Sequence, residues 1–175
     1  MKLSIVSHIK AVLLLPFVGL VVIPAAILCL TSNIDGVWGW EYTTTALGIV
    51  AGSVLIVLGL YLLISTIRLF AVLGRGTLAP WEPPKKLVVA GVYRHLRNPM
   101  IGGVLAVLLG EAVLFGSGAV LVWCVLFFLG NNIYFRFFEE PDLVKRFGDD
   151  YIEYRRNVPS WLPRLKPWTK ANAKD

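Results

Sequence analysis

The chain has 175 residues, of which 57 % are hydrophobic and only 16 % charged, and its mean hydropathy is +0.70. Those values exclude an ordinary soluble domain and point to an integral membrane protein. The formal net charge of +6 is accompanied by no nucleic-acid-binding module, so the excess is assigned to anionic headgroups and no nucleic-acid partner is expected.

A helix needs about 20 mainly apolar residues to cross a bilayer, and four segments approach or meet that length: residues 11–30, 46–73, 99–115 and 119–138. The expected fold is therefore all-α and polytopic, with four transmembrane helices, a cytoplasmic loop and a C-terminal amphipathic helix. The first run follows Lys2, His8 and Lys10 and superficially resembles a secretory signal. Its apolar core is long for that role and no clean cleavage site precedes Thr31-Ser32-Asn33, so it is read as a retained helix. Cys29 lacks a lipobox, and both Cys29 and Cys124 fall within apolar runs. They read as small buried hydrophobes, not as a disulfide or metal pair. In the second run, Gly48, Gly52 and Gly59, with Ala51 and Ser53, supply small residues for close helix packing. That run exceeds the bilayer thickness, so its last turn should carry Arg68 into the interface.

The loop that follows opens with Gly74-Arg75-Gly76 and is too rich in Gly and Pro for a continuous helix. Trp81 suits the headgroup level, and Leu87-Val88-Val89-Ala90 reads as a short apolar return toward the membrane. Pro99 suits the first turn of the third helix, where its missing N–H is no loss. Gly116-Ser117-Gly118 then forms a tight turn into the fourth run. Glu111 falls about 18 Å along the third helix from Pro99; there it should reach the interface or pair within the bundle. Asn131 and Asn132 serve either as interhelical hydrogen-bonding residues or as ligand contacts. Beyond Glu140, Leu143, Phe147, Tyr151 and Tyr154 recur at helical spacing. Residues 141–156 thus form an expected amphipathic helix, weakened modestly by Gly148. The tail from Val158 is expected to lie along the interface.

Lys and Arg cluster in the N-terminal tail, around the 74–98 loop and from Arg136 onward, whereas the 31–45 loop carries only Asp35 and Glu41. The positive-inside rule then places both termini and the central loop in the cytoplasm. Connectivity adds a geometric expectation. If the third and fourth runs form a hairpin, Arg97-Asn98-Pro99 must return to the depth of Glu139-Glu140. Intramembrane or interfacial acids are costly unless paired or hydrated, and a site combining carboxylate with guanidinium can hold a zwitterion such as an amino-acid moiety. The plainer reading makes Glu139 and Glu140 an interfacial stop paired with Arg136 on the same helix. His95, between Arg94 and Arg97, is a candidate hydrogen-bond partner in its neutral form. No cluster with metal-ligand spacing and no nucleophile elbow is present.

Gly74-x-Gly76-Thr77, Gly91-x-Tyr93-Arg94, Arg97-Asn98-Pro99-Met100, Glu139-Glu140-Pro141-x-Leu143, Phe147-Gly148, Tyr151 and Tyr154 together resemble the integral-membrane methyltransferase superfamily, which includes isoprenylcysteine carboxyl methyltransferases and phospholipid N-methyltransferases. The resemblance covers residues 74–163. It implies that S-adenosylmethionine is the cofactor and that a lipophilic methyl acceptor approaches from the bilayer. By the same resemblance Gly74, Gly76, Arg97, Asn98, Pro99, Glu139 and Glu140 line the donor pocket; Tyr93, Arg94 and His95 are further donor-binding candidates, and Glu140, Glu139 and Arg97 are the catalytic candidates. One position departs from the family pattern: Ile101 stands where a Tyr is common. The chain is then one membrane-embedded domain, with variable N-terminal helices (1–73), a donor-binding region (74–163) and a tail (164–175). Two alternatives stay open: an NADPH-dependent sterol or steroid reductase, and a non-catalytic membrane scaffold.

Overall fold

A computed structural model describes residues 17–31, 46–69 and 87–169. Gly74 and Gly76, with the rest of the 70–86 segment and the start of the first apolar run, lie outside the described residues. Five helices follow in order: α1 (Val18–Thr31), α2 (Ala46–Leu69), α3 (Pro99–Phe115), α4 (Gly118–Phe147) and α5 (Asp149–Asn157), with a 3-10 turn at Gly91–Arg94. Among the described residues there is no strand, so the all-α expectation holds. Helices α2 and α4, of 24 and 30 residues, are long and apolar enough to cross a membrane, whereas α1 and α3 are shorter apolar helices.

The shortest candidate span turns out to be the centre of the bundle. Eight of the 17 residues of α3 are buried, and Val104, Val107 and Leu108 form a core with Leu20 of α1, Leu63 of α2 and Cys124 of α4. Cys124 donates to the Leu105 carbonyl at 3.7 Å, and neither cysteine is in a disulfide. Helix α2 lies against α3 at two glycine pairs. A Cβ on Gly59 would stand 2.6 Å from the Gly103 carbonyl oxygen, and one on Gly110 would stand 2.8 Å from that of Gly52. Small residues at these crossings let the backbones approach directly, which substitutes for the weak hydrophobic drive between helices in lipid. Gly52 and Gly59 thus act as the packing positions expected, and Gly103 and Gly110 are their partners.

Only Gly116 and Ser117 separate α3 from α4, and Ser117 caps α4 by accepting from the Val120 N–H. The hairpin expected from the sequence is therefore formed. Glu111 does not pair through both oxygens as a bundle residue would: its Oε2 is buried without a hydrogen-bond partner among the described residues. Asn131 donates back to the Phe127 carbonyl of its own helix.

The C-terminal part also differs from a single amphipathic helix. Residues 140–147 continue α4 without interruption, and the chain breaks at Gly148, where φ is +55° and ψ −133°. That region is essentially reserved for glycine. The apolar periodicity runs on through the break because Tyr151 and Tyr154 of α5 fold back onto Leu143, Val144 and Phe147. A Cβ at Gly148 would meet nothing within 4 Å, so any penalty on substitution is purely one of backbone conformation. Gly148→Ala is expected to lower stability by about 1–3 kcal/mol, read as a fall in thermal midpoint in detergent.

Candidate functional site

The site forms where the open end of the α3–α4 hairpin meets the segment after α5. Arg97 stands just before α3. Its Nη1 donates to Glu140 Oε1 at 2.6 Å and to the Tyr151 hydroxyl at 3.2 Å, its Nε to the Val158 carbonyl at 2.9 Å, and its Nη2 to Ser160 Oγ. Its backbone N–H bonds the Pro159 carbonyl at 2.9 Å. Glu140 is held from its other side as well, by Arg155 Nη1 at 3.2 Å from Oε2. Cation and anion from opposite ends of the hairpin therefore meet, as connectivity required. Side-chain exposures of 11 % for Arg97 and 15 % for Glu140 put the pair in surroundings where loss of either partner leaves a poorly solvated charge.

The plain expectation of an Arg136 pairing fails for a local reason. Residues Phe135–Glu139 form a π turn, and the Glu140 N–H bonds the Phe135 carbonyl. The extra residue in this turn alters the ordinary helical spacing between Arg136 and the acids. Glu140 is presented instead to Arg97 and Arg155.

Glu139 is half-buried and makes no hydrogen bond or ion pair among the described residues. Its charge acts on the phenol of Tyr93, whose pKa is raised first by burial, then by Tyr154 and Glu139. Burial likewise raises the Tyr154 hydroxyl, which donates to the Tyr93 carbonyl at 2.6 Å. In Tyr151 burial raises the pKa against the opposing pull of Arg97. All three phenols are thus neutral at physiological pH.

Arg94 and His95 are both engaged by the chain itself. Arg94 donates through Nε to the Trp168 carbonyl at 2.8 Å and through Nη2 to Thr169 at 3.2 Å. His95 Nδ1 lies 2.8 Å from the Arg164 carbonyl, which requires the tautomer protonated at that nitrogen. Backbone bonds from Arg164 N–H to the His95 carbonyl and from Trp168 N–H to the Arg94 carbonyl complete the attachment. Residues 158–169 are thus strapped to residues 94–97, an attachment that an interfacial tail does not by itself require. Leu87 and Val89 bury their side chains against Tyr151, Tyr154 and Val158 in the same region. Pro99 is buried at the first turn of α3, and the Asn98 side chain makes no capping bond.

The site candidates from Tyr93 to Pro99, with Glu139 and Glu140, are therefore gathered at one end of the bundle, and Gly74 and Gly76 lie outside the described residues. Tyr151, Tyr154, Arg155 and Ser160 also belong to the assembly. The tyrosines were visible as an apolar stripe, and buried phenols generally require a polar partner; nothing in the local pattern of Ser160 marks it.

The profile of the phospholipid methyltransferase family matches residues 47–150, more than half of the chain. The chain belongs to the phospholipid methyltransferase family. The matched region of this family member extends from α2 through both glutamates to the start of α5. The chain is 36 % identical over 85 residues to a protein-S-isoprenylcysteine O-methyltransferase of Schizosaccharomyces pombe, covering 45 % of this chain and 34 % of that protein. It is 38 % identical over 77 residues to methanethiol S-methyltransferase 2 of Bradyrhizobium diazoefficiens, covering 42 % and 27 %. A protein-S-isoprenylcysteine O-methyltransferase B of Arabidopsis thaliana is 36 % identical over 88 residues, covering 47 % and 42 %. The chain thus spans less than half the length of each of these relatives. No solved structure matches it.

Proposed function

We propose that this family member transfers a methyl group from S-adenosylmethionine to a lipid or lipidated acceptor at the cytoplasmic face of the membrane, with α1 to α4 as its four spans. The observation that carries this reading is Glu139: a half-buried carboxylate with no hydrogen bond or ion pair among the described residues, beside a neighbouring glutamate already held by two arginines. A cationic ligand offsets the cost of such a group, and S-adenosylmethionine carries positive charge on its sulfonium and ammonium groups. The names of the relatives, an isoprenylcysteine O-methyltransferase and a methanethiol S-methyltransferase, support methyl transfer while differing in acceptor.

When bound, S-adenosylmethionine supplies an activated methyl group. Glu139 would hold the donor's positive charge, with Tyr93 near it and Asn98, Gly74 and Gly76 assigned by resemblance. Both oxygens of Glu140 are engaged by guanidinium groups, so Glu140 and Arg97 position the site and Glu139 is the carboxylate available to accept a proton from an amine acceptor. A carboxylate acceptor needs no base, and Arg155, half-exposed and using one nitrogen on Glu140, has donors left to orient it. Water exclusion and alignment supply the remaining acceleration.

Glu139→Gln keeps the shape of the side chain and leaves the Arg97–Glu140 pair in place. If Glu139 is the base, transfer of labelled methyl groups to membrane lipids should fall by about 10²–10⁴-fold, with the thermal midpoint retained. If it only holds the donor, titration calorimetry should show weakened S-adenosylmethionine binding. Undiminished binding together with undiminished transfer overturns both roles, and stabilisation by NADPH but not by S-adenosylmethionine overturns the methyltransferase reading.

A further inference from the structure

We propose that residues 160–166 form a re-entrant wedge, inserted into the membrane leaflet at the Arg97 end of the bundle and held there by anionic lipid headgroups. The first observation is depth. Trp161 packs edge-on against Phe128 and Phe135 of α4, with ring centroids 5.1 Å and 6.1 Å away. Phe128 lies about 15 Å along the helix from Phe138, the last apolar residue before the glutamates, at a rise of about 1.5 Å per residue. The indole therefore lies alongside the apolar stretch of α4, on the membrane side of the charged site.

The second observation is the pattern of exposure. Leu162 is 79 % exposed and Leu165 97 % exposed, although the segment is fixed at both ends by the bonds from Arg97 to Pro159 and from Trp168 to Arg94. Two leucines held outward on a tethered, non-helical segment are left uncovered by the described residues, whereas the acyl region beside α4 is apolar. Arg164 and Lys166 alternate with them and suit negatively charged headgroups, each basic residue near the surface contributing to that attraction.

The third observation concerns the backbone. Irregular chain at membrane depth is tolerated only where its polar groups are satisfied or absent. Pro159, Pro163 and Pro167 have no N–H to satisfy. The carbonyls of Val158, Pro159, Arg164 and Trp168 are bonded by Arg97, Arg97, His95 and Arg94 respectively. The polar residues just before α3 thus bond the chain on both sides of the wedge and, within it, both backbone groups of Arg164.

The wedge can be tested in the full chain reconstituted into phosphatidylcholine vesicles with or without phosphatidylglycerol, whatever the methyl acceptor. An environment-sensitive fluorophore is attached to Leu165→Cys in a Cys29→Ser background, Cys124 being buried. Because Leu165 is almost fully exposed, this change leaves packing intact. Most of the emission should be lost to lipids carrying a nitroxide high on the acyl chain and kept against aqueous iodide, with the larger loss in phosphatidylglycerol vesicles. The same fluorophore on Lys145→Cys, an exposed position on the polar extension of α4, should show the reverse. Equal behaviour of the two labels overturns the re-entry, and equal quenching in the two lipid compositions overturns the anionic preference.

Discussion

Arg97→Met should lower the stability of the folded protein by about 3–5 kcal/mol, the usual cost of removing one partner from a buried ion pair. The arginine joins four groups from three parts of the chain: Glu140, Tyr151, the Val158 carbonyl and Ser160. Its removal leaves Glu140 with Arg155 alone, and strips donors from acceptors that the fold shields from solvent. Arg97→Lys keeps the charge, but one ammonium cannot span the positions that the guanidinium fork reaches at once. An intermediate loss is expected there. The measurements are thermal melts in detergent and limited proteolysis, with cleavage after residue 158 becoming faster as the strap is released. Melting and proteolysis unchanged from the parent protein would show that the pair is dispensable.

Gly59→Ile should leave little folded protein. The first side-chain carbon would fall 2.6 Å from the Gly103 carbonyl oxygen and 2.8 Å from the Val107 N, and both obstacles are backbone of the central helix. Neither can move without displacing α3 from α2, and α3 also carries Val104, Val107 and Leu108 of the core. Gly59→Ala, which adds only that one carbon, should cost about 1–3 kcal/mol through overpacking. Gly130 is the internal control, since a Cβ there meets nothing within 4 Å. Gly130→Ala should be neutral or raise stability by about 0.5–1 kcal/mol through helix propensity. Size-exclusion profiles and thermal midpoints of the three variants distinguish a helix-crossing effect from a general intolerance of glycine replacement; equal behaviour of Gly59→Ala and Gly130→Ala would argue against the crossing.

The hairpin was legible in the sequence because it depends on run length and a short turn, which are local properties. The meeting of Arg97 with Glu140 follows from that connectivity. The small residues of α2 were legible for the same reason, although their pairing with Gly103 and Gly110 is a tertiary match that no single segment encodes. The π turn before Glu140 was hidden: an apolar aromatic run gives no sign of one additional residue in a turn, yet that residue decides which arginines the glutamate meets. The break at Gly148 was masked by an apolar spacing that continued across it. The strap was the least visible feature, since it is made by carbonyls of Val158, Arg164 and Trp168, and a carbonyl carries no signature of residue type. Arg94 and His95 looked like ligand contacts because their side chains are polar and near the acids; the structure uses both to hold chain.

Bonds that close the site join residues far apart in synthesis: Arg97 with Val158 across 61 positions and Arg94 with Trp168 across 74. The glycine crossing of α2 with α3 and the α3–α4 turn are complete in sequence well before those partners exist. During translation the bundle can therefore assemble with Arg94, His95 and Arg97 still lacking their partners, and the Arg97–Glu140 assembly is completed only when nearly the last described residues arrive. Completion of the candidate site is in this sense a late checkpoint on the length of chain made, and a product ending before Val158 would keep the helical hairpin while lacking the segment that braces Arg97.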